Sequence, residues 1–357
     1  MEIMDAYLKE DARILASWYR ENKRPLPWRD SGDPYDVWIS EIMLQQTRIE
    51  AVKEKFRRFK QELPDIAALA DCPEDDLMRL WEGLGYYSRA RNLKKCAQKL
   101  MQEYDGSLPA DYEKLLSLPG IGPYTAGAIA SIAFDLPSPA VDGNVLRVIS
   151  RRTGIREDVR LPSTEKTVRE LLLPLYEGVS PGDLNQGLME LGETLCLPKD
   201  RPRCEDCPLK KHCYACINDL TAKIPFRSAV KRRRIVKRTL TVIRQGERFL
   251  LKKRPANGLL AGLYEFPGFE GEYSAEEVKK LLEKQGMTVV SVFPLTSGVH
   301  VFSHIEWHMT AYEVNVTDLG EAENKEEVLL LDREELQKKA IPSAFRTWTD
   351  HYALRNK

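Results

Sequence analysis

Along this 357-residue chain the hydrophobic residues change period once, and that change confines the fold to two units of different class. Up to about residue 216 apolar positions recur at helical spacing, as in Ala6–Tyr19, Val37–Leu44, Leu77–Leu84 and Val168–Leu175. Proline and glycine divide these runs at Pro25–Pro27, Pro34, Pro109, Pro119–Pro123, Pro137–Pro139 and Pro181–Gly182. Beyond residue 238 the pattern becomes strand-like. Arg238–Ile243 and Arg248–Arg254 flank a Gln245-Gly246 turn, and Ile305, Trp307, Met309 and Ala311 alternate with Glu306, His308, Thr310 and Tyr312. Ser274 can cap a helix running to Lys284, with Gly286 just past its end. The sequence therefore predicts an all-α domain over 1–216, a linker over 217–238 and an α+β domain over 239–357. At about 100–200 residues per domain, each has enough chain for its own core.

The 54 Lys+Arg balance the 54 Asp+Glu, which excludes a protein that holds nucleic acid through bulk positive charge alone. Local charge is another matter, because Lys223–Arg238 holds eight basic residues and no acid. That stretch reads either as a solvated linker or as a phosphate contact. No apolar run reaches the roughly 18 residues of a membrane span. The N-terminal MEIMDAYLKEDAR is charged from its second residue and lacks the apolar core of a signal peptide. A cytoplasmic protein with no membrane partner is expected.

Five of the seven cysteines fall between Cys196 and Cys216, while Cys72 and Cys96 sit in helix-like sequence and read as small core residues. In a reducing compartment the run Cys196-x7-Cys204-x2-Cys207-x5-Cys213 reads as a metal site, for a 4Fe-4S cluster or a structural zinc, with Cys216 a bystander. Upstream, Leu118-Pro-Gly-Ile-Gly-Pro-Tyr-Thr-Ala-Gly127 places Gly120 and Gly122 one residue apart before a small-residue helix. Such a turn points backbone N–H groups outward at a helix N-terminus, where an anion is favoured. It reads equally as a tight interhelical turn without a ligand. Asp142, in Ala140-Val-Asp-Gly-Asn-Val145, taken alone is a helix cap.

The hairpin, the aspartate some twenty residues on and the cysteine loop together resemble the helix-hairpin-helix DNA glycosylases that carry an iron–sulfur loop. Two further segments narrow the resemblance to the MutY-type adenine DNA glycosylases: Leu26-Pro-Trp-Arg-Asp30 followed by Val37–Arg48, and Trp81-Glu-Gly-Leu-Gly-Tyr-Tyr-Ser-Arg-Ala-Arg91. The match covers nearly the whole chain, although the family usually has six residues in the first cysteine gap and this chain has seven. The resemblance makes Glu41 the general acid that protonates adenine at N7, and Asp142 the carboxylate that faces the oxocarbenium ion, with Tyr124 and Asn144 beside it. It places Arg24, Trp28, Arg29, Leu44, Thr47 and Gln186 at the adenine pocket. Gln46 would fill the duplex and Tyr86 would wedge beside the orphaned base once the nucleotide is flipped out. Gly120 and Gly122 would meet a DNA phosphate, where a monovalent or divalent cation is a further candidate, and Cys196, Cys204, Cys207 and Cys213 would hold the 4Fe-4S cluster. Related endonuclease III enzymes, which also cut the strand, carry a nucleophilic lysine where this chain has Tyr124, and a tyrosine cannot form the Schiff base. A monofunctional glycosylase is therefore expected.

The second half resembles the MutT (Nudix) fold. Gly258-Leu-Leu-Ala-Gly-Leu-Tyr-Glu-Phe-Pro267 is similar to the start of that family's signature, but Lys279-Lys-Leu-Leu-Glu-Lys-Gln-Gly286 puts Lys280 and Lys284 where the metal-binding carboxylates would stand. A hydrolytic magnesium site is not expected. Phe302-Ser303-His304 is similar to the MutY-type loop that reads 8-oxoguanine, and the Ser303 hydroxyl can meet the hydrogen that oxidation places on N7. His300, His304 and His308 are four apart, but the alternating pattern around His308 argues against a metal face. The whole resemblance implies an all-α helix-hairpin-helix domain with an α+β Nudix-like domain. Its expected partner is double-stranded DNA with A:8-oxoguanine or A:G mismatches, bound by a nucleoid-associated monomer. A pyrimidine-lesion glycosylase/lyase and a non-catalytic lesion-binding protein are the competing readings.

Overall fold

Proline and short polar side chains set the helix starts before any packing is considered. Pro34, Pro123, Pro162 and Pro181 lie in first turns, where a missing N–H breaks no bond. Asp33, Asp65, Asp111, Asp142 and Ser180 each accept a hydrogen bond from the turn that follows. The computed structural model describes residues 2–29, 31–198, 202–229, 232–255, 257–320 and 328–354. Asp30 of the first motif, and Val230 and Lys231 of the basic stretch, lie outside these.

The helices are α1 (Glu2–Asn22), α2 (Pro34–Leu44), α3 (Ile49–Glu62), α4 (Ile66–Asp71), α5 (Glu74–Leu80), α6 (Ser88–Glu103), α7 (Tyr112–Leu116), α8 (Pro123–Phe134), α9 (Gly143–Thr153), α10 (Pro162–Leu172), α11 (Pro181–Thr194), α12 (Tyr214–Ile217), α13 (Ala275–Glu283), α14 (Arg333–Gln337) and α15 (Arg346–Leu354). Two compact units result, Met1–Cys72 with Arg91–Ala229, and Pro73–Ala90 with Val230–Lys357. The first unit thus runs through residues 217–229, which the sequence assigns to the linker, and residues 73–90 group with the second. The helix expected over Leu77–Leu84 stops at Leu80, because Gly83 and Gly85 take φ of +88° and +68°. No helix among the described residues is long and apolar enough to cross a membrane.

In the first unit α1 packs Leu8, Ala12 and Leu15 against Leu184, Leu188 and Leu191 of α11, with Val145 and Val148 of α9 and Val168 and Leu172 of α10 completing the cluster. One buried polar residue organises the approach to Asp142. Asn185 of α11 donates to Ser131 Oγ at 2.7 Å and to the Ser138 carbonyl at 2.8 Å. Its carbonyl oxygen accepts from Tyr176 Oη at 2.7 Å and from Ala140 N at 3.3 Å. Helix α8 meanwhile lies against residues 139–140, where a Cβ on Gly127 would come 2.2 Å from the Pro139 oxygen.

The second unit is a mixed sheet of β1 (Arg234–Gln245), β2 (Arg248–Lys253), β3 (Tyr264–Glu265), β4 (Gly268–Glu270), β5 (Thr288–Val301), β6 (Ile305–Asp318) and β7 (Val328–Leu331). Their order is β3-β2-β1-β6-β5, with β4 on β1 and β7 on β2, and only the central β1–β6 pair is parallel. Both faces are covered. Trp307, Met309 and Ala311 pack with Phe345, Trp348 and Tyr352 on one side, and Val314 and Val316 pack with Val278 and Leu282 of α13 on the other. Ser274 caps α13 in a full capping box with Glu277, as its position predicts. In the β5–β6 hairpin the register shifts between Leu295 and Gly298, where a Cβ on Gly298 would stand 3.0 Å from the Trp348 ring.

Asn185→Ala removes four hydrogen bonds and strands their buried partners, which should lower stability by about 2–4 kcal/mol. Thermal or urea unfolding checks this, and a loss below about 0.5 kcal/mol would remove Asn185 from its organising role.

Candidate active site

Asp142 both caps α9 and faces a cleft. Its Oδ1 accepts from the backbone N–H groups of Asn144 at 2.9 Å and Val145 at 2.7 Å. Its Oδ2 accepts from the Asn144 amide at 2.9 Å. That amide also donates to Glu193 at 3.0 Å, and its oxygen accepts from Arg147 at 2.8 Å, so its orientation is fixed from both ends. Helix α11 reaches this turn through Gly192, whose Cβ would come 2.6 Å from the Asn144 Cβ. Burial pushes the Asp142 carboxyl above its ordinary pKa, against the lowering effect of those three hydrogen bonds.

Across the cleft stands Glu41, on the apolar helix α2, only 7% exposed. It receives one strong donor, the Tyr124 hydroxyl at 2.5 Å on Oε2. Burial raises its pKa to about 7; the negative charge of Asp142 adds to the rise, while the Tyr124 hydrogen bond and Arg29 lower it. Tyr124 is pushed well above its ordinary pKa by burial and by the same two carboxylates, so it stays a donor.

The cleft has a volume of about 660 Å³ and is lined by Arg24, Trp28, Arg29, Glu41, Leu44, Gln46, Thr47, Gly122, Tyr124, Asp142, Asn144 and Gln186. Almost every residue expected at the adenine pocket is brought here. Sequence reasoning missed Glu190, which is wholly buried and pairs with Arg24 at 2.6 Å and Arg29 at 2.7 Å. Burial pushes Glu190 up, but the two guanidiniums outweigh it and hold its carboxyl below the ordinary value. Gln186 is oriented in turn, its oxygen accepting from Tyr19 at 2.8 Å. Nothing local signals Glu190, because its two arginine partners lie 166 and 161 residues away along the chain.

Gly120 is not among the residues that line this cleft. Gly120, at φ +77°, forms the hairpin turn, where a Cβ would meet Asn92 at 2.6 Å. Gln46 and Tyr86 both hold the left-handed conformation, at φ +56° and +46°, which strains a side-chain-bearing residue. Tyr86 belongs to the second unit and is 45% exposed. Its turn is built by Trp81 Nε1 and Arg89, which both donate to the Gly85 carbonyl at 3.1 Å.

The cysteine loop is tied to α9. Arg147 donates to the Cys196 carbonyl at 2.8 Å, and Arg151 lies 3.4 Å from the Cys196 sulfur. Burial and the neighbouring Cys216 thiol, which hydrogen-bonds it, push Cys204 up to about 11; burial pushes Cys207 to about 12, and the other loop thiols act in the same direction on both. Among the described residues no three His, Cys, Asp or Glu side chains group closely enough to hold one metal ion. Five thiols come together on this loop, since Cys204 feels Cys196, Cys213 and Cys216, and Cys207 feels Cys196, Cys204 and Cys213; a donor set of this chemistry suits an iron–sulfur cluster.

In the second unit Phe302, Ser303 and His304 form the tip between β5 and β6. Phe302 is anchored edge-on to Trp307, with centroids 4.8 Å apart, and Ser303 and His304 are exposed. Lys280 and Lys284 are exposed, and Glu265 is neutralised by Arg254 at 2.6 Å and Arg238 at 3.3 Å. His308 pairs with Glu306 at 2.7 Å.

Comparison with known proteins matches residues 39–175 to the HhH-GPD superfamily of base excision DNA repair proteins and residues 239–351 to the NUDIX domain. An adenine DNA glycosylase of Mus musculus is 34% identical, the alignment covering 94% of this chain and 77% of that protein. One from Buchnera aphidicola subsp. Acyrthosiphon pisum is 33% identical, covering 87% and 88%. The solved structure of a thermostable thymine-DNA glycosylase, 29% identical, superposes with a TM-score of 0.54 over 60% of this chain and 98% of its own. The chain thus belongs to the MutY-type adenine DNA glycosylases, base-excision enzymes that hydrolyse the N-glycosidic bond.

Proposed function

We propose that this chain removes adenine paired with 8-oxoguanine or guanine from duplex DNA, without cutting the strand. The observation that carries this reading is a carboxyl poised near neutral pH, Glu41, facing a carboxylate held by three donors, Asp142, in one cleft. Because Tyr124 occupies Glu41 Oε2, the other oxygen carries the proton. That proton passes to adenine N7 as the C1′–N9 bond breaks, and the bonding electrons leave with the base. Asp142, its charge fixed in direction by α9 and Asn144, stabilises the cation left on the sugar until water adds at C1′. Gln186, Arg29 and Trp28 supply the pocket for the base.

A base reaches this cleft only if it leaves the duplex. Gln46 and Tyr86, each held in a strained turn, are the residues suited to fill the vacated stack, and the hairpin at Gly120 and Gly122 suits a phosphate or the cation that bridges to one. Ser303 and His304 are exposed where an 8-oxoguanine edge could be read. Cys196, Cys204, Cys207 and Cys213 would hold a 4Fe-4S cluster, which would cross-link the loop that Arg147 and Arg151 tie to α9. Tyr124, a buried donor to Glu41, offers no amine for strand cleavage.

Single-turnover adenine release should fall as pH rises through about 7, the pKa of Glu41. Tyr124→Phe removes a hydrogen bond that lowers that pKa, so the alkaline limb should move to higher pH; a shift to lower pH would contradict the assignment. Glu41→Gln should abolish release while leaving mismatch binding. In the folded state the Glu41 carboxyl is raised from 4.5, so the penalty of burying its charge is absent below about 4.5 and complete above about 7. Glu41→Gln should therefore be more stable than the parent at pH 8, by about 2–3 kcal/mol, and gain little at pH 4. Equal gains at both pH values in unfolding experiments would sink this account. Ser303→Ala should cut the rate preference for 8-oxoguanine over guanine by about tenfold while still releasing adenine opposite guanine; an unchanged ratio excludes Ser303 as the reader. Iron and acid-labile sulfide analysis of anaerobically prepared protein should find about four of each per chain, and stoichiometric zinc would replace the cluster.

A further inference from the structure

The basic stretch starting at Lys223 begins on the catalytic unit, and its first arginine is fastened there from both sides. Ile224 is buried, and its carbonyl accepts from Arg151 Nε at 2.8 Å. The Phe226 carbonyl accepts from Val159 N at 3.2 Å. Ser228 donates its N–H to Asp158 at 3.2 Å, and its carbonyl accepts from Arg160 at 2.5 Å. Between these four anchors Arg227 is exposed, and its Nη2 reaches to 3.8 Å from where a Cβ on Gly143 would be. Among the described residues no carboxylate lies within ion-pair distance of it. Arg227 is one of the cations that lower the pKa of Arg147, after the larger effect of burial. An unmatched guanidinium is thus held at the residue next to Asp142. The Asn144 and Val145 N–H groups of α9 are already taken by the Asp142 side chain.

In a deoxyribose the 3′ and 5′ phosphates are attached away from C1′, so a sugar whose C1′ faces Asp142 leaves them free for a cation beside that residue. We propose that Arg227 binds a phosphate flanking the flipped nucleotide and so sets the distance between sugar and Asp142. This rests on the reading that Asp142 faces the sugar. Gly143 has no side chain to keep the two apart, and the guanidinium fork matches a phosphate oxygen pair. Arg227 is a positioning residue in this account, acting on the substrate backbone rather than on the reacting atoms.

The test is binding of a duplex carrying a tetrahydrofuran abasic site at the target position, measured across KCl concentrations for the parent, Arg227→Ala and Arg227→Lys. One phosphate contact contributes a slope of about 0.9 in log Kd against log salt, so Arg227→Ala should be shallower by about that amount and Arg227→Lys should retain it. Neutralising each flanking phosphate in turn as a methylphosphonate should, for one of the two, weaken parent binding as much as Arg227→Ala does and weaken Arg227→Ala no further. An unchanged salt slope in Arg227→Ala, or additive losses at both methylphosphonates, overturns the proposal. Adenine release from a normal mismatch is scored separately. Salt effects as expected without release would defeat the glycosylase chemistry and leave the phosphate contact standing.

Discussion

The cleft exists because two helices come within backbone contact of residues 139–144. Gly127 brings α8 onto the Pro139 carbonyl and Gly192 brings α11 onto Asn144, at distances no side-chain-bearing residue could tolerate. Asn185 closes the arrangement by bonding both the 138–140 segment and Ser131 of α8. Interiors this dense do not deform continuously. The position of Asp142 follows from these three contacts, and its helix cap, its partner Asn144 and the Arg147 bridge to the cysteine loop follow from that position.

Of the acids that line this cleft, three are set apart by their surroundings. Glu190 meets two guanidiniums and is held ionised. Asp142 meets two backbone N–H groups and an amide, which oppose the effect of burial. Glu41 meets one hydroxyl among apolar neighbours, and burial prevails. The residue type fixes little here; the count and charge of donors fixes the rest. On the proposed reading such a division sets a proton donor and a second carboxyl group on opposite walls of a cleft of about 660 Å³.

Much of the architecture was legible in the sequence, because helix period, strand alternation, proline at first turns and short polar caps are local signals. The roles proposed for Glu41 and Asp142 were not legible from the residues themselves. Asp142 reads as a helix cap, and the structure makes it one; only the tertiary placement of that cap adds a second task. Glu41 reads as a surface glutamate until α2 is buried on nearly every side. Resemblance supplied what periodicity lacked. Glu190, Asn185 and Arg147 escaped because their partners lie far along the chain, and Gly127 and Gly192 because small residues in helices have many uses. The left-handed turns at Gln46 and Tyr86 were also hidden, since residues of these types seldom take positive φ and nothing local marks them for it.

In the β5–β6 hairpin, strand alternation fixes which way each side chain points, and Ser303 and His304 ride at its end. One residue added between the Gly298 bulge and the tip would turn His300 and Val301 to the opposite face and rotate the tip with them. One residue added within the bulge, where the register already slips beside Trp348, would be absorbed locally. The side chains at the tip can therefore vary one by one, whereas the length of the ten or so residues that carry them is quantised. Homologous chains of this kind should tolerate exchange at the tip and accept insertions at the bulge, and a single-residue length change between the two should be the rarest event of all.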